Sequence, residues 1–361
     1  MNVLVLTTDL GTLSGWSRYS ADVVQALSKH GVVAVVVSEQ GQPGTHAVLP
    51  RYRGHRTGYL SAPFHALKLR NLARNCTAIH ALVEPYAPIA YWLSVFTGIP
   101  YFVTAHGSHA VQPFVDRWFK RILHAHALAS ARAVLCVSSY TRRRLEAHGI
   151  TNCVVTPNGI NVEKFYHPPV PTNAARENRI VTVGALKRRK GQHVSLAAFA
   201  QCTRRIPDAR YTFVGDQGDA AYVDQLKRSI ADAGLMDRVE FRENISDEEL
   251  VALYRCSKIC VLTSLSTKRH FEGFGLVYLE ANLCGVPAIG SLDSGAEDAI
   301  VDEKTGFLVP QEDVDAIAAK MEQLLVDDVL WNRMSESGVV WGRNHGWTTM
   351  IAEYARLYGL T

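Results

Sequence analysis

Short apolar runs that alternate with helical segments are the feature that most restricts the fold of this chain. NVLVLTTD at residues 2–9 and VVAVVVSE at 32–39 are rich in β-branched residues and almost uninterrupted by polar ones. Strands that are apolar along their whole length are typical of parallel sheets covered by helices on both faces. A helix is expected between them from about Gly15 to Lys29, and further strands are expected at 78–83, 100–105, 133–137 and 153–156. The pattern therefore predicts βαβ units in a doubly wound parallel sheet.

A segment rich in proline divides the chain into two halves. Residues 166–178, YHPPVPTNAAREN, contain three prolines and no periodicity, which is typical of a linker. The alternation then resumes, with strands expected at 179–184, 209–215, 238–242, 258–263 and 286–290 and helices at about 190–205, 220–233, 246–256 and 275–284. The tail from about residue 313 to 360 is expected to be helical.

Four segments follow from this division. They are an N-terminal domain at 1–165, a linker at 166–178, a second domain at 179–335, and a C-terminal helix at 336–361 that packs back towards the first domain. Open α/β sheets bind ligands at the carboxyl ends of their strands. We therefore expect two Rossmann-like domains whose crevices face each other across a cleft, an arrangement suited to a phosphorylated or nucleotide ligand.

The net charge of +4 hides an uneven distribution. Residues 1–165 carry 16 Lys and Arg against 7 Asp and Glu, whereas residues 166–361 carry 22 against 27. The composition, 47% hydrophobic and 20% charged, excludes disordered, collagen-like and disulfide-scaffold proteins. The basic half indicates that the first domain meets an anionic partner.

Cysteine spacing and hydropathy exclude several further classes. The seven cysteines are scattered without a C-x-x-C pair, so they predict neither a zinc site nor a disulfide framework. The N-terminus has no basic leader, and no apolar segment approaches the roughly 18 residues that a membrane span needs. A cytoplasmic protein is expected, with peripheral attachment to the inner face of the cell membrane left open.

The segment HFEGFGLVYLEANLCGVPAIG at 270–290 carries the strongest chemical signal. Glu272 and Glu280 are separated by seven residues, and Gly273 and Gly275 follow the first of them. The glycines allow a tight turn, and a helix is expected to begin near Gly275. A helix N-terminus with free N–H groups is a ready site for an anion, and the two carboxylates can accept hydrogen bonds from different hydroxyl groups of one ligand. Spacing alone equally fits a glycine-containing helix start with an ordinary surface glutamate.

An ordered set of motifs gives this segment a family context. Besides EGFGLVYLE followed by A-x-x-C-G-V-P, the chain contains SGWSRYSADVVQAL, TAHGS, VSSYTRRRL, TPNGIN, VGALKRRKG, FVGDQGD and SGAEDAIVDEKTGFLVP. Together these motifs resemble those of the retaining nucleotide-sugar glycosyltransferases of family 4, which have the GT-B fold. The resemblance extends over most of the chain.

The resemblance implies a role for each matching residue of the second domain. Glu272 would bind a hydroxyl of the donor sugar, Glu280 the ribose hydroxyls of the nucleotide, and Lys190 the donor pyrophosphate. A cation at that place stabilises the leaving nucleotide diphosphate. The segment of Gly273, Phe274, Gly275 and Leu276 would present backbone N–H groups near the sugar and the phosphates.

One departure concerns the second cation at the pyrophosphate. The family has G-R-L where this chain has Gly184-Ala185-Leu186, so an arginine is missing at Ala185. Lys187, Arg188 or Arg189 could supply the charge from a neighbouring position, and the sequence does not choose among them.

Three further places carry roles that the resemblance implies. Gly15 matches the second glycine of a G-G loop where the backbone approaches the donor phosphate or the acceptor, although Ser14 replaces the first. His106, in TAHGS, matches the histidine at the catalytic centre. Backbone around Asn244 and Ile245 would meet the nucleobase, with Ser246 and Glu249 forming a capping box on the next helix.

The implied activity is transfer of a hexose, with retained configuration, from a UDP- or GDP-linked donor to a hydroxyl of a glycan, a glycolipid or a small acceptor. Such a reaction would serve the biosynthesis of cell-surface polysaccharides or glycoconjugates. The resemblance implies neither a metal nor a further cofactor. A GT-B nucleotide-sugar epimerase and a non-catalytic subunit that binds sugar nucleotides are the alternatives.

The cations of the first half occur in clusters. They are Arg51, Arg53 and Arg56; Lys68, Arg70 and Arg74; Arg117, Lys120 and Arg121; and Arg142, Arg143 and Arg144. Several share a segment with aromatic and apolar residues, as in QPFVDRWFKRILHAHAL, which is typical of a basic amphipathic helix at an anionic membrane surface. A solvated basic face explains them equally well. No module for binding nucleic acid is present.

Overall fold

A computed structural model describes residues 1–11, 14–39, 41–50, 58–115 and 118–359. The chain forms two compact units, one of Met1–Gly159 with Trp347–Thr361 and one of Ile160–Gly346. Each unit contains a single parallel sheet, so the prediction of two doubly wound α/β sheets is confirmed. Among the described residues, no helix is both long enough and apolar enough to span a membrane.

The first unit contains a sheet of seven strands in the order β3-β2-β1-β4-β5-β6-β7. The strands are β1 Asn2–Leu6, β2 Val33–Ser38, β3 Thr45–Ala47, β4 Ala78–Ala81, β5 Tyr101–Ala105, β6 Ala133–Cys136 and β7 Cys153–Val155. Chain order reverses between β1 and β4, which makes that position the topological switch point of the sheet. The prediction missed β3, because an edge strand of three residues has too little apolar pattern to detect.

Six helices are described in the part of the first unit that precedes the second unit in the chain. They are α1 Gly15–Lys29, α2 Gly58–Ala73, α3 Ala87–Thr97, α4 Ser108–Val115, α5 Trp118–Ala129 and α6 Ser139–Glu146. The side chain of Ser14 accepts a hydrogen bond from the backbone N–H of Ser17 and so caps α1. A short 3-10 helix at Glu84–Tyr86 begins three residues after the end of β4. The amphipathic segment expected around residues 112–128 includes the end of α4 and most of α5.

The second unit has a sheet of six strands in the order β10-β9-β8-β11-β12-β13. The strands are β8 Arg179–Val183, β9 Arg210–Val214, β10 Val239–Arg242, β11 Ile259–Leu262, β12 Ala288–Ser291 and β13 Gly306–Val309. The switch point lies between β8 and β11, which pair in parallel. The prediction missed β13, which lies at the edge of the sheet.

Eight helices complete the second unit. They are α7 Val162–Phe165, α8 Gln192–Cys202, α9 Ala220–Asp232, α10 Asp247–Cys256, α11 Leu276–Leu283, α12 Ala296–Ala299, α13 Val314–Val326 and α14 Asp328–Asn344. The core lies between the sheet and these helices, with the fully buried Trp331, Tyr211 and Phe199 among its largest side chains.

The segment 166–178 lies within the second unit and packs against it. The Arg176 guanidinium donates hydrogen bonds to the carbonyl oxygens of Tyr254, Ser257 and Cys284 at 3.0, 2.9 and 2.7 Å. The same group lies 4.9 Å from the ring centroid of Trp331. These contacts hold the segment on the surface of the unit despite its three prolines.

The last helix, α15 Trp347–Leu357, belongs to the first unit and packs on α1. Ile351 and Tyr354 are buried in the same apolar cluster as Tyr19 and Val23 of α1. The Tyr354 and Tyr19 hydroxyl oxygens lie 2.6 Å apart. The predicted helical tail is thus three helices, α13, α14 and α15, of which the last is part of the first unit.

Candidate active site

Lys190 and Glu272 meet at the switch point of the second sheet. Lys190 ends a 3-10 helix, Arg188–Lys190, that follows β8, and Glu272 lies in the loop after β11. The Lys190 Nζ donates a hydrogen bond of 2.6 Å to Glu272 Oε2, and the Ser264 hydroxyl donates to the same oxygen at 2.9 Å. The Arg189 guanidinium lies 3.8 Å from it. Two cations therefore share one carboxylate, which leaves a net positive charge at this edge.

The charges determine the protonation state of Glu272. Burial raises its pKa, but the Lys190 ammonium, the Arg189 guanidinium and the hydrogen bonds from Lys190 and Ser264 lower it by more. The net result is a pKa below the ordinary value, so the carboxylate is ionised at neutral pH and accepts hydrogen bonds only.

Close backbone approaches build the loops around this pair. Gly191, at φ +72°, lies so near β11 that a Cβ there would stand 1.9 Å from the carbonyl oxygen of Thr263. A Cβ on Gly295 would stand 2.0 Å from the carbonyl oxygen of Gly273. Larger residues would push these loops apart, so the glycines set the distance between the residues that they carry.

The three cations that could replace an arginine at Ala185 differ in position. Lys187 and Arg188 are exposed, and Arg188 is close enough to His193 to help lower the pKa of that imidazole, after burial. Arg189 is half-buried and points to Glu272. Its Nη1 atom is buried without a hydrogen-bond partner among the described residues. The structure thus brings Arg189 together with Lys190 and Glu272, and leaves Lys187 and Arg188 at the surface.

Helix α11 begins at Leu276, four residues after Glu272 and next to Gly275, near which the sequence predicts its start. Its N-cap is Gly275 at φ +87°, and no side chain caps the helix. Phe274 is buried. The first N–H groups of α11 are therefore presented at the same edge as Lys190, in the manner of an anion site.

Glu280 lies one further turn along α11. The Tyr254 hydroxyl, from α10, donates a hydrogen bond of 3.1 Å to Glu280 Oε2. Tyr254 is fully buried, whereas Glu280 is partly exposed. A buried hydroxyl thus orients a carboxylate that can still reach a ligand.

The segment expected at the nucleobase follows β10. Asn244 is exposed and has a φ of +56°, which an asparagine adopts more readily than most residues. Ile245 is half-buried. The capping box that was predicted from Ser246 and Glu249 is present, with each side chain bonded to the other residue's backbone N–H.

Gly15 and His106 belong to the first unit. His106 follows β5, and its Nε2 lies 2.8 Å from the Leu82 carbonyl oxygen. Burial lowers its pKa to about 4, so the imidazole is neutral at pH 7. Gly15 begins α1, and a Cβ there would meet no atom within 4 Å, so packing does not require a glycine at this position.

Sequence reasoning missed three residues around the predicted site. Ser264 binds Glu272, Tyr254 binds Glu280, and Glu84 accepts the backbone N–H of His106. Ser264 and Glu84 each follow a strand that borders a switch point, a position that could have been searched for polar residues. No local signal identifies Tyr254, because its contact depends on how α10 packs against α11.

The basic clusters of the first half are only partly described. Arg51, Arg53, Arg56 and Arg117 lie outside the described residues. Lys68, Arg70 and Arg121 are exposed, whereas Lys120 is buried and 7% exposed. Lys120 therefore belongs neither to a solvated basic face nor to an exposed membrane surface, the two alternatives for these clusters.

Two family profiles match the chain in succession. "Glycosyltransferase Family 4" matches residues 13–164, and "Glycosyl transferases group 1" matches residues 163–341. The chain belongs to glycosyltransferase family 4. Its two parallel sheets are those of the GT-B fold, as the resemblance implied.

Curated members of the family are similar to this family 4 chain. The GDP-mannose-dependent alpha-(1-6)-phosphatidylinositol monomannoside mannosyltransferase of Mycolicibacterium smegmatis is 32% identical over 63% of this chain. The match spans 62% of that relative, less than two thirds of its length. The D-inositol 3-phosphate glycosyltransferase of Corynebacterium diphtheriae is 26% identical over 97% of this chain and 90% of its own.

Solved structures share the fold over nearly the whole chain. A sucrose-phosphate synthase from Thermosynechococcus elongatus matches with a TM-score of 0.82 at 21% identity, covering 99% of this chain and 98% of its own. HepE of Anabaena in complex with UDP-glucose matches with a TM-score of 0.79 at 20% identity, with the same coverage.

Proposed function

We propose that this protein is a retaining glycosyltransferase that moves a hexose from a nucleotide diphosphate sugar to a hydroxyl acceptor. The observation that carries the proposal is the pair of Lys190 and Arg189 on one buried carboxylate at the switch point of the second sheet. The pair has spare positive charge and stands beside an uncapped helix N-terminus, as a pyrophosphate site requires. Membership of family 4 supports the same assignment.

Within this site, Lys190 and Arg189 would stabilise the departing diphosphate. As bond cleavage moves negative charge onto the leaving group, fixed cations lower the energy of that state. Arg189 takes the place of the arginine that the family has at the position of Ala185. Its Nη1 can donate to a phosphate oxygen, because it donates no hydrogen bond to any described residue. Two protein cations supply the neutralising charge, so the proposed reaction is metal-independent.

The remaining donor contacts follow from the same edge of the sheet. Glu272 would accept a hydrogen bond from a sugar hydroxyl, and the backbone from Gly273 to Leu276 would donate to the sugar and phosphate oxygens. Glu280, oriented by Tyr254, would accept from the ribose hydroxyls. Lys187 and Arg188 border the phosphates from the surface, and the backbone at Asn244 and Ile245 meets the base.

The first unit would contribute His106 and Gly15. The Leu82 carbonyl can only accept a hydrogen bond, so the Nε2 of His106 carries the proton and Nδ1 keeps its lone pair. That lone pair can accept from a hydroxyl of the donor sugar. The open space at Gly15 would let a phosphate or the acceptor approach the backbone.

An anionic or lipid-linked acceptor fits the charge of the first half. The two relatives are named for a phosphatidylinositol mannoside and for an inositol phosphate, both of which carry phosphate. The excess of Lys and Arg in residues 1–165 favours an acceptor of that class for this chain too, within cell-surface polysaccharide or glycoconjugate biosynthesis.

Donor binding and turnover test the proposal together. Thermal stabilisation of the purified protein is measured with UDP, GDP and their hexose conjugates, and release of the nucleotide is then followed with phosphoinositide and glycan acceptors. Stabilisation by one nucleotide and transfer with retained configuration are expected, and both are lost in Glu272→Ala. Binding without turnover would indicate a non-catalytic subunit instead, and interconversion of donor sugars an epimerase.

We also propose that the first unit attaches to an anionic membrane surface through α2. Leu60, Phe64 and Leu67 lie on one face of this helix and are 75, 59 and 47% exposed. Lys68 lies 4.3 Å from the centroid of the Phe64 ring, and Arg70 and Arg74 are exposed nearby. Apolar side chains flanked by cations are suited to an interface with acidic headgroups.

Vesicle sedimentation tests the attachment. The protein is expected to sediment with vesicles that contain phosphatidylglycerol and not with pure phosphatidylcholine vesicles, and Phe64→Ser should release it. The exposed Val329 of α14 offers the matched substitution Val329→Ser, which should leave binding unchanged. Equal binding of Phe64→Ser and the unaltered protein would contradict the proposal.

A further inference from the structure

Glu84 is a buried carboxylate next to His106 at the switch point of the first sheet. It stands three residues after the end of β4, begins the 3-10 helix Glu84–Tyr86 and is 1% exposed. Strand β4 pairs with β5, after which His106 stands, so the loops that carry the two residues are neighbours. Burying a carboxylate costs free energy, and a merely structural position would be filled better by a neutral side chain.

The carboxylate holds the backbone at His106. Its Oε1 accepts the His106 N–H at 2.5 Å. Burial raises the pKa of Glu84 to about 7, and the N–H groups of Glu84, His106 and Gly107 counteract part of that rise. Gly107 has a φ of +125°, a conformation that favours glycine, so the chain turns sharply around this contact.

The imidazole of His106 is fixed on two further sides. Its Nε2 donates to the Leu82 carbonyl at 2.8 Å, and its ring meets the edge of Tyr19 at a centroid distance of 4.4 Å and an angle of 85°. The Tyr19 hydroxyl is itself bonded to Tyr354 of α15, at 2.6 Å. With the backbone, Nε2 and one ring face held by described residues, the Nδ1 edge is the part of the imidazole that can meet a ligand.

We propose that Glu84 is a positioning residue for His106: by holding the backbone N–H of His106, it sets the direction in which the Nδ1 lone pair points. The inference rests on the proposed function, in which that lone pair accepts a hydroxyl of the sugar. Glu84 touches no substrate, and it acts through the placement of the imidazole.

Kinetics of Glu84 variants test this role. In Glu84→Ala, kcat should fall about tenfold to a hundredfold, the size expected for a displaced catalytic group, while the donor KM stays within about threefold. Glu84→Gln should recover most of kcat, because its amide oxygen can still accept the N–H. Glu146→Gln, at an exposed position of the same unit, is the matched control.

Two kinetic results would overturn the proposal. One is an unchanged kcat in Glu84→Ala, measured together with a lowered kcat in His106→Ala. The other is a kcat of Glu84→Gln as low as that of Glu84→Ala, which would mean that the negative charge itself is needed. If Glu84→Ala does not fold, Glu84→Asp replaces it, since its carboxylate ends one methylene short of the N–H.

A measurement on the imidazole separates this inference from the proposed function. In protein labelled with ¹⁵N-histidine, the His106 signals, identified by their loss in His106→Ala, should show the neutral Nε2–H form. Glu84→Gln should leave the His106 signals where they are in the unaltered protein, and Glu84→Ala should move them. Unaltered His106 signals in Glu84→Ala would refute the positioning role, whereas lack of transfer by the unaltered protein would refute only the proposed function.

Discussion

The Lys190 Nζ lies 2.6 Å from the Glu272 Oε2, although the two residues are 82 positions apart. They meet because β8 and β11 are neighbours at the point where the strand order reverses, so the segments that follow these strands share one edge. The side chains are 15 and 13% exposed, which shields the pair from solvent screening.

This ion pair should contribute measurably to the stability of the second unit. In a double-mutant cycle of Lys190→Met and Glu272→Gln, we expect a coupling of about 1–3 kcal/mol, because each single change leaves a largely buried charge without its partner. Urea unfolding measures the coupling. The more exposed pair of Arg356 and Glu353, whose side chains are 60 and 36% exposed, is the matched control, with an expected coupling below about 1 kcal/mol. Equal couplings in the two cycles would contradict the expectation.

Arg189 should bind the donor diphosphate more strongly than its neighbours. Arg189→Ala is expected to weaken UDP or GDP binding about tenfold, the effect of one charge-assisted hydrogen bond, and Arg188→Ala less. Isothermal titration calorimetry measures both, with the exposed Arg204→Ala as the control. Adding Ala185→Arg to Arg189→Ala should restore affinity. A larger loss of affinity in Arg188→Ala than in Arg189→Ala would show that Arg188, and not Arg189, is the second cation.

Glu280 should report on the ribose of the donor. Glu280→Ala is expected to weaken binding of the ribonucleotide about tenfold and of the 2′-deoxyribonucleotide less, since one accepted hydroxyl is already absent there. Tyr254→Phe should give a smaller loss in the same direction, because the carboxylate is present but less well oriented. A variant that lost the same affinity for both nucleotides would show that Glu280 does not contact the 2′-hydroxyl.

The stability of the first unit should depend on pH through Glu84. Burial raises its folded-state pKa to about 7 from an ordinary value of 4.5, so the folded state holds this proton more tightly than the unfolded one. Its contribution is complete below pH 4.5 and is lost as the pH rises to about 7. His106, whose pKa is lowered to about 4, acts in the opposite direction, and so does His80, lowered to about 3 by burial and the nearby His106.

Comparison with Glu84→Gln isolates this effect, because both histidines are present in both proteins. The unfolding free energy of the unaltered protein, relative to Glu84→Gln, should decrease between pH 4.5 and 7 by at most about 1.4 kcal/mol per pH unit. Urea titrations at pH 5, 6, 7 and 8 measure the difference. A constant difference over this range would show that Glu84 has an ordinary pKa in the folded protein.

Local sequence was sufficient for most of the fold. The apolar runs, the Ser14 cap and the Ser246–Glu249 capping box act over a few residues, so their elements could be predicted to within a few positions. The edge strands β3 and β13 could not, because their pairing depends on neighbours that are distant in the chain. The ordered motifs also determined the family, which the two profiles confirmed.

Only the tertiary structure decided which residues act on one another. The sequence offered Lys187, Arg188 and Arg189 as equivalent cations, and the turn before Gly191 directs the third of them to Glu272. Tyr254 and Glu84 stand 26 and 22 residues along the chain from the groups that they bind. Ser264 stands 8 residues from Glu272, and only the course of the loop brings its hydroxyl to the carboxylate. A carboxylate's protonation and a hydroxyl's orientation depend on burial and on distances of about 3 Å, and these exist only once the strands have been brought together.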